Sequence, residues 1–144
     1  MRIDGKWALF DDGVVRPIAS AEVLADDGTW VKLPFLVDTG ADRTVFSAAA
    51  HAQLGLRPIE STDGISGLGG MTNSVVVETQ IRLSRDNSAK VLFRGQYAAV
   101  TEVEALDICV LGRDITELFA VIVDRPTGVV CMLGQRHRYT IEQV

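Results

Sequence analysis

The sequence predicts an all-β fold, and three observations carry that prediction. Apolar runs are short, clusters of turn formers separate them, and only two brief segments break the pattern, so strands do not alternate with helices. A length of 144 residues suits one domain with one core, and residues 1–144 are read as a single unit without repeat, low-complexity tract or linker. Hydrophobic residues at 47% and charged residues at 23% are ordinary for a globular chain and argue against disorder.

The first expected strand, 7–10, opens on Trp7 and ends at the turn Asp11-Asp12-Gly13. Strands at 18–24 and 30–37 flank Asp26-Asp27-Gly28, which reads as a hairpin connection. A short strand at 44–46 leads to Ser47, a plausible N-cap for a helix over 48–54 that Gly55 ends by supplying a positive φ. Strands at 74–83 and 90–100 flank Arg85-Asp86-Asn87-Ser88. A second helix is expected over 113–119, opened by Asp114. Strands at 120–124 and 129–133 flank Arg125-Pro126-Thr127-Gly128, and Tyr139 and Ile141 alternate as in a last strand over 139–142.

Net charge and thiols narrow the function classes. The charge of −5 comes from 19 acidic against 14 basic residues, and the basic ones are scattered singly, so no stripe exists to neutralise a phosphate backbone. No nucleic-acid partner is expected. No stretch approaches the roughly 18 apolar residues that cross a bilayer, and the start lacks the apolar stretch of a secretory signal, so a cytoplasmic protein without a membrane partner is expected. Cys109 and Cys131 lie in apolar runs without metal-ligand spacing and read as reduced core residues, a disulfide between them being the alternative. His51 and His137 have no acid or nucleophile at motif spacing and read as surface residues; Trp7, Trp30, Phe35 and Phe46 read as core or interface residues. No metal or other cofactor is expected.

The chemistry concentrates where an apolar strand runs into Asp38-Thr39-Gly40-Ala41-Asp42. An acid at the end of such a strand is expensive to place unless it is hydrogen-bonded or functional. Four glycines in Gly64-Ile65-Ser66-Gly67-Leu68-Gly69-Gly70 lack the following Lys-Ser or Lys-Thr of a phosphate cradle, and suit a mobile hairpin tip whose Ile65 and Leu68, with Met71, offer apolar contact. A third segment, Val110-Leu111-Gly112-Arg113-Asp114-Ile115, follows late in the chain.

These three motifs, in this order, resemble the retropepsin-like (retroviral-type) aspartic proteases over about residues 15–133. The resemblance implies a closed retropepsin-like acid protease β-barrel with a flap hairpin and one or two short helices. It implies that Asp38 is catalytic, that Thr39 bonds across a dimer axis, that Gly40 and Ala41 complete the active-site loop, and that Ile65, Ser66, Gly67, Leu68, Gly69 and Gly70 form the substrate-binding flap. It also implies a structural ion pair of Asp42 with Arg113, and an intersubunit contact for Arg16. Attack by water needs two carboxyl groups sharing one proton, and this chain holds one Asp-Thr-Gly, so the second must come from another copy in a C2 homodimer. The expected activity is hydrolysis of peptide bonds in a peptide or protein substrate; the alternative is a catalytically idle dimer serving as a peptide-binding scaffold. Viral members of the family interleave their termini, whereas the first 15 residues and the polar extension after Leu133 do not match them.

Overall fold

The computed structural model describes residues 1–67, 70–134, 142 and 143, and over 60–67 and 70–72 the backbone alone. In chain order the elements are β1 (Arg2–Asp4), β2 (Lys6–Leu9), β3 (Val15–Leu24), β4 (Trp30–Val37), β5 (Val45–Phe46), α1 (Ala48–Leu54), β6 (Glu60–Gly67), β7 (Gly70–Ser84), β8 (Lys90–Val100), β9 (Cys109–Leu111), α2 (Arg113–Thr116), β10 (Ala120–Asp124) and β11 (Val129–Leu133), with a 3-10 turn at Val103–Ala105. The fold is mainly β with short helices, as expected.

Eight strands form one sheet in the order β2-β3-β4-β9-β5-β8-β7-β6, and a further β3–β7 pairing closes six of them into a hydrogen-bonded ring. Most pairs are antiparallel; β4–β9 and β5–β8 are parallel. A second sheet, β1-β11-β10, lies beside it. β4 follows from side-chain alternation: Leu33, Phe35 and Val37 are buried while Lys32 and Pro34 are exposed. Pro34 is tolerated because β9 pairs only with Phe35 to Val37, so the missing N–H falls where β4 has one partner.

The main core gathers Phe35, Phe46, Leu54, Val77, Ile81, Leu83 and Leu111. Phe46 meets Phe35 and Tyr97 edge-on, with ring centroids 6.1 Å and 5.9 Å apart, a geometry that adds to the area these rings bury. Ser47 caps α1 by accepting from Ala50 N–H, and Gly55 ends it at φ 64°, both as expected. Cys109 and Cys131 are free and buried, so the reduced reading holds over the disulfide.

Glu22 ties three strands: Arg82 Nε on β7 donates to it at 2.9 Å and Lys90 Nζ on β8 at 2.8 Å. Hydrogen bonds from Arg82 and then Lys90 hold its carboxyl down at about 2, below the ordinary 4.5. A carboxyl depressed in this way contributes stability that is complete above the ordinary value and fades only as pH falls toward 2, so the tie survives mildly acidic conditions.

Several expectations change. α2 stops at Thr116 instead of Phe119, and its N-cap is Gly112; Asp114 does not open it, because its carboxylate is turned to Thr44. β1, β6 and β9 were not expected as strands, while β3 runs back to Val15 and β7 starts at Gly70. Of the strand expected over 139–142, residues 139–141 lie outside the described residues, and Glu142 is in no strand.

Candidate active site

β9 lies between β4 and β5, parallel to the first and antiparallel to the second. The chain leaving β4 must therefore cross the end of β9 to reach β5, and residues 38–44 make that crossing. Asp38 stands at its start, half-buried, with Thr39 and Gly40 exposed and Ala41 half-buried after it. Asp38 N–H donates to the Leu111 carbonyl at 3.2 Å, its own carbonyl accepts from Ala41 N–H at 3.3 Å, and its Oδ1 accepts from Gly40 N–H at 2.9 Å. Backbone bonds thus fix where the carboxylate points, and the loop presents it on an open surface.

The far side of the crossing is held from beneath. Arg113 N–H donates to the Ala41 carbonyl at 2.8 Å. Thr44, 0% exposed, donates its N–H to Asp114 Oδ1 and Oδ2 at 2.9 Å and 3.0 Å and its hydroxyl to Oδ1 at 2.7 Å. The same hydroxyl accepts from Gly112 N–H at 3.1 Å, so one threonine joins the loop to both the end of β9 and α2. Gly112 approaches the loop so closely that a Cβ there would lie 2.3 Å from the Arg43 carbonyl carbon and oxygen. Beneath this clasp, burial and then the Asp114 charge push the Tyr97 phenol up to about 12, so it stays a neutral hydroxyl.

The expected ion pair forms: Arg113 Nη2 meets Asp42 Oδ1, and Arg113 Nε lies 3.4 Å from Glu117. Both side chains of this pair are exposed, Arg113 at 45% and Asp42 at 79%. A second brace, not expected from the sequence, is Thr44 with Asp114, in which the threonine is buried and the aspartate exposed. A threonine opening a strand looks like a β-former, and an aspartate after Gly-Arg looks like a helix cap.

This difference in setting makes a prediction. Asp114→Ala leaves the buried Thr44 N–H without its acceptor and should cost about 2–3 kcal/mol of stability. Asp42→Ala, which breaks an exposed pair, should cost less than about 1 kcal/mol. Thermal melts of the two variants side by side check the ranking; equal melting temperatures would contradict it.

Ile65, Ser66 and Gly67 pair with Thr72, Met71 and Gly70, so β6 and β7 make a hairpin where the glycine-rich segment was expected to turn; Leu68 and Gly69 lie outside the described residues. Arg16, expected to reach a second subunit, is bound within its own chain: its guanidinium donates to Asp12 at 2.6 Å and 3.0 Å and stacks 4.9 Å from the Phe10 ring centre. That hydrogen bonding holds the Asp12 carboxyl at about 2. His51 is half-buried with Nε2 3.1 Å from the Leu56 carbonyl, and His137 lies outside the described residues. Phe35 and Phe46 are core residues, as expected, whereas Trp7 and Trp30 are partly buried. Among the described residues no three His, Cys, Asp or Glu side chains gather to hold a metal, and no helix is long and apolar enough to cross a membrane.

Comparison with known proteins gives one family and one fold. No curated protein sequence matches the chain. The EIAV protease in complex with the inhibitor HBY-793 is 23% identical, with a TM-score of 0.49 over 76% of this chain and 92% of that one. A retropepsin-like aspartic protease from Rickettsia conorii is 17% identical, with a TM-score of 0.55 over 92% of this chain and 88% of that one, and this likeness shows a retropepsin-like fold. The model of the aspartyl protease family matches residues 21–115, which hold the Asp-Thr-Gly loop, the glycine-rich hairpin and the Gly-Arg-Asp segment, and the chain therefore belongs to the aspartyl protease family.

Proposed function

We propose that the chain is an aspartic endopeptidase that works as a C2 homodimer, with Asp38 and its symmetry mate on the axis. The observation that carries this reading is the chain's single Asp-Thr-Gly, set on an outward loop with the Asp38 carboxylate half-open and backbone-held. One such carboxylate is half of an acid–base pair. Two of them about 3 Å apart cannot both ionise, so one serves as base toward a water held between them while the other, protonated, donates to the carbonyl oxygen of the substrate. The water adds directly, and no covalent intermediate with the protein forms. Thr39, exposed beside Asp38, would bond across the axis.

An extended substrate would lie between this floor and the β6–β7 hairpin acting as a flap, read by backbone hydrogen bonds and apolar side-chain pockets. Gly40, exposed and without a side chain, lets that strand come close. The test is cleavage of a diverse peptide library scored by mass spectrometry from about pH 4 to 7, where one shared proton allows both roles. Cuts made by the wild type and absent with Asp38→Asn are expected, beside apolar residues. Cuts that persist in the variant would sink the mechanism, and silence from a proven dimer would favour the idle peptide-binding scaffold.

A further inference from the structure

Ahead of residues 21–115, which the family model matches, the chain builds a hairpin from β2 and the start of β3. Lys6 to Leu9 pair with Ile18 to Val15, and Gly13, at φ 80°, turns the chain between them. β4 pairs with β3 only from Ile18 onward, where Ile18 lies opposite Leu36, so the hairpin runs on past the end of β4. Continued two residues, that register sets Arg16 opposite Asp38, on the face that Ile18 and Leu36 share. Asp38 still follows the sheet at this point, since its N–H bonds to the Leu111 carbonyl of β9. Arg16 also feels the charge of Asp107, at the approach to β9.

The tip of the hairpin is stiff. The Arg16 guanidinium donates to both Asp12 carboxylate oxygens, at 2.6 Å and 3.0 Å, and stacks on Phe10 with 4.9 Å to the ring centre. Asp12 Oδ1 also accepts from Val14 N–H at 2.9 Å, and Phe10 N–H donates to the Val14 carbonyl at 3.0 Å. Held in this way, Val14 is 47% exposed next to the half-buried Phe10. Leu9, 74% exposed, pairs with Val15 and so faces away from the Arg16 side. The chain beyond β11 starts from the opposite end of β1, where Gly134 N–H donates to the Met1 carbonyl.

We infer that Val14, with the Phe10 ring, forms an outer substrate subsite that takes an apolar side chain three or four residues from the scissile bond. The occupant is the substrate strand because this surface continues the face on which Asp38 stands, so the inference rests on the peptidase reading. Val14 lies two residues past Arg16, about 7 Å further along β3, and an extended peptide covers that span and the step from the neighbouring strand in three or four residues at about 3.3 Å each. The Arg16–Asp12 clasp fixes the tip before substrate arrives, which spares the cost of ordering it on binding. In a two-fold dimer one hairpin stands toward each end of the bound strand, so the preference falls on both sides of the cut.

The test pairs a change in the protein with a change in the peptide. The best-cleaved library sequence is made as two peptides of about eight residues, with leucine or with serine at the third and fourth positions on each side of the cut. Wild type should favour the leucine peptide about tenfold in kcat/KM, and Val14→Ser should bring that ratio below about twofold. Leu9→Ser, equally apolar before the change but on the other face, should keep the tenfold ratio. Circular dichroism checks that each variant is folded. A wild type that cuts both peptides equally, or a Val14→Ser variant that keeps the ratio even while both rates fall, would overturn the subsite and leave the peptidase reading standing. Loss of the ratio in Leu9→Ser as well would also overturn it, because the hairpin would then act through fold or assembly. If no library peptide is cut in an Asp38-dependent way, both readings fall.

Discussion

Asp38→Asn is expected to abolish peptidase activity, by about a thousandfold or more, while leaving the fold unchanged. Asparagine is close to isosteric and its amide oxygen can still accept from Gly40 N–H, so the loop keeps the bond seen at 2.9 Å. What is lost is the exchangeable proton and the negative charge. A mixing experiment makes the result sharper. If each active unit needs two carboxylates from two copies, wild type and variant in equal amounts, allowed to exchange subunits, should retain about one quarter of the activity, the fraction of dimers with both acids. A value near one half would mean that each copy acts alone, and one near three quarters that one carboxylate per dimer suffices. Steady-state rates against the fraction of variant decide between these, and equal melting temperatures of the two proteins remove unfolding as the cause.

What was legible in the sequence follows from how far each signal reaches along the chain. The bounds of β4, β8, β10 and β11 came out as expected because turn formers flank them and their side chains alternate or are β-branched. β1 offers only one buried residue, Ile3, and three positions cannot establish a period. β9 is buried at all three positions, and a continuous apolar run does not distinguish a strand from other buried backbone. β3 begins before the expected Ile18, and Pro17, a residue confined to strand edges and starts, pairs there opposite Trp7. The same limit applies at the site. Asp38-Thr39-Gly40 is contiguous and legible as a motif, whereas Thr44 and Asp114 are 70 residues apart and meet only because β9 inserts between β4 and β5. Nothing local marks either residue as half of a clasp.

The glycine that lets the crossing close carries the second large effect. Gly112 has φ −92° and ψ −175°, extended backbone open to any residue, so its identity is set by proximity and not by conformation. A Cβ at this position would sit 2.3 Å from the Arg43 carbonyl carbon and oxygen and 2.8 Å from Thr44 N, all of them backbone atoms. A side chain could rotate away from such an intrusion, but a peptide cannot move without pulling Thr44 from Asp114 and Gly112 N–H. Gly112→Ala should therefore destabilise the protein by about 3 kcal/mol, roughly 10 °C in melting temperature for a domain of this size. Any folded fraction should be poorly active, since the displaced segment begins at Asp38. Gly40→Ala supplies the contrast: its Cβ would meet only the Asp38 carboxylate, at 3.2 Å, and Gly40 is exposed. That variant should melt within about 2 °C of wild type while losing activity, because it obstructs the floor on which an extended substrate would lie. If Gly112→Ala melts and turns over like wild type, the close crossing of the loop over the end of β9 does not hold Asp38 in place.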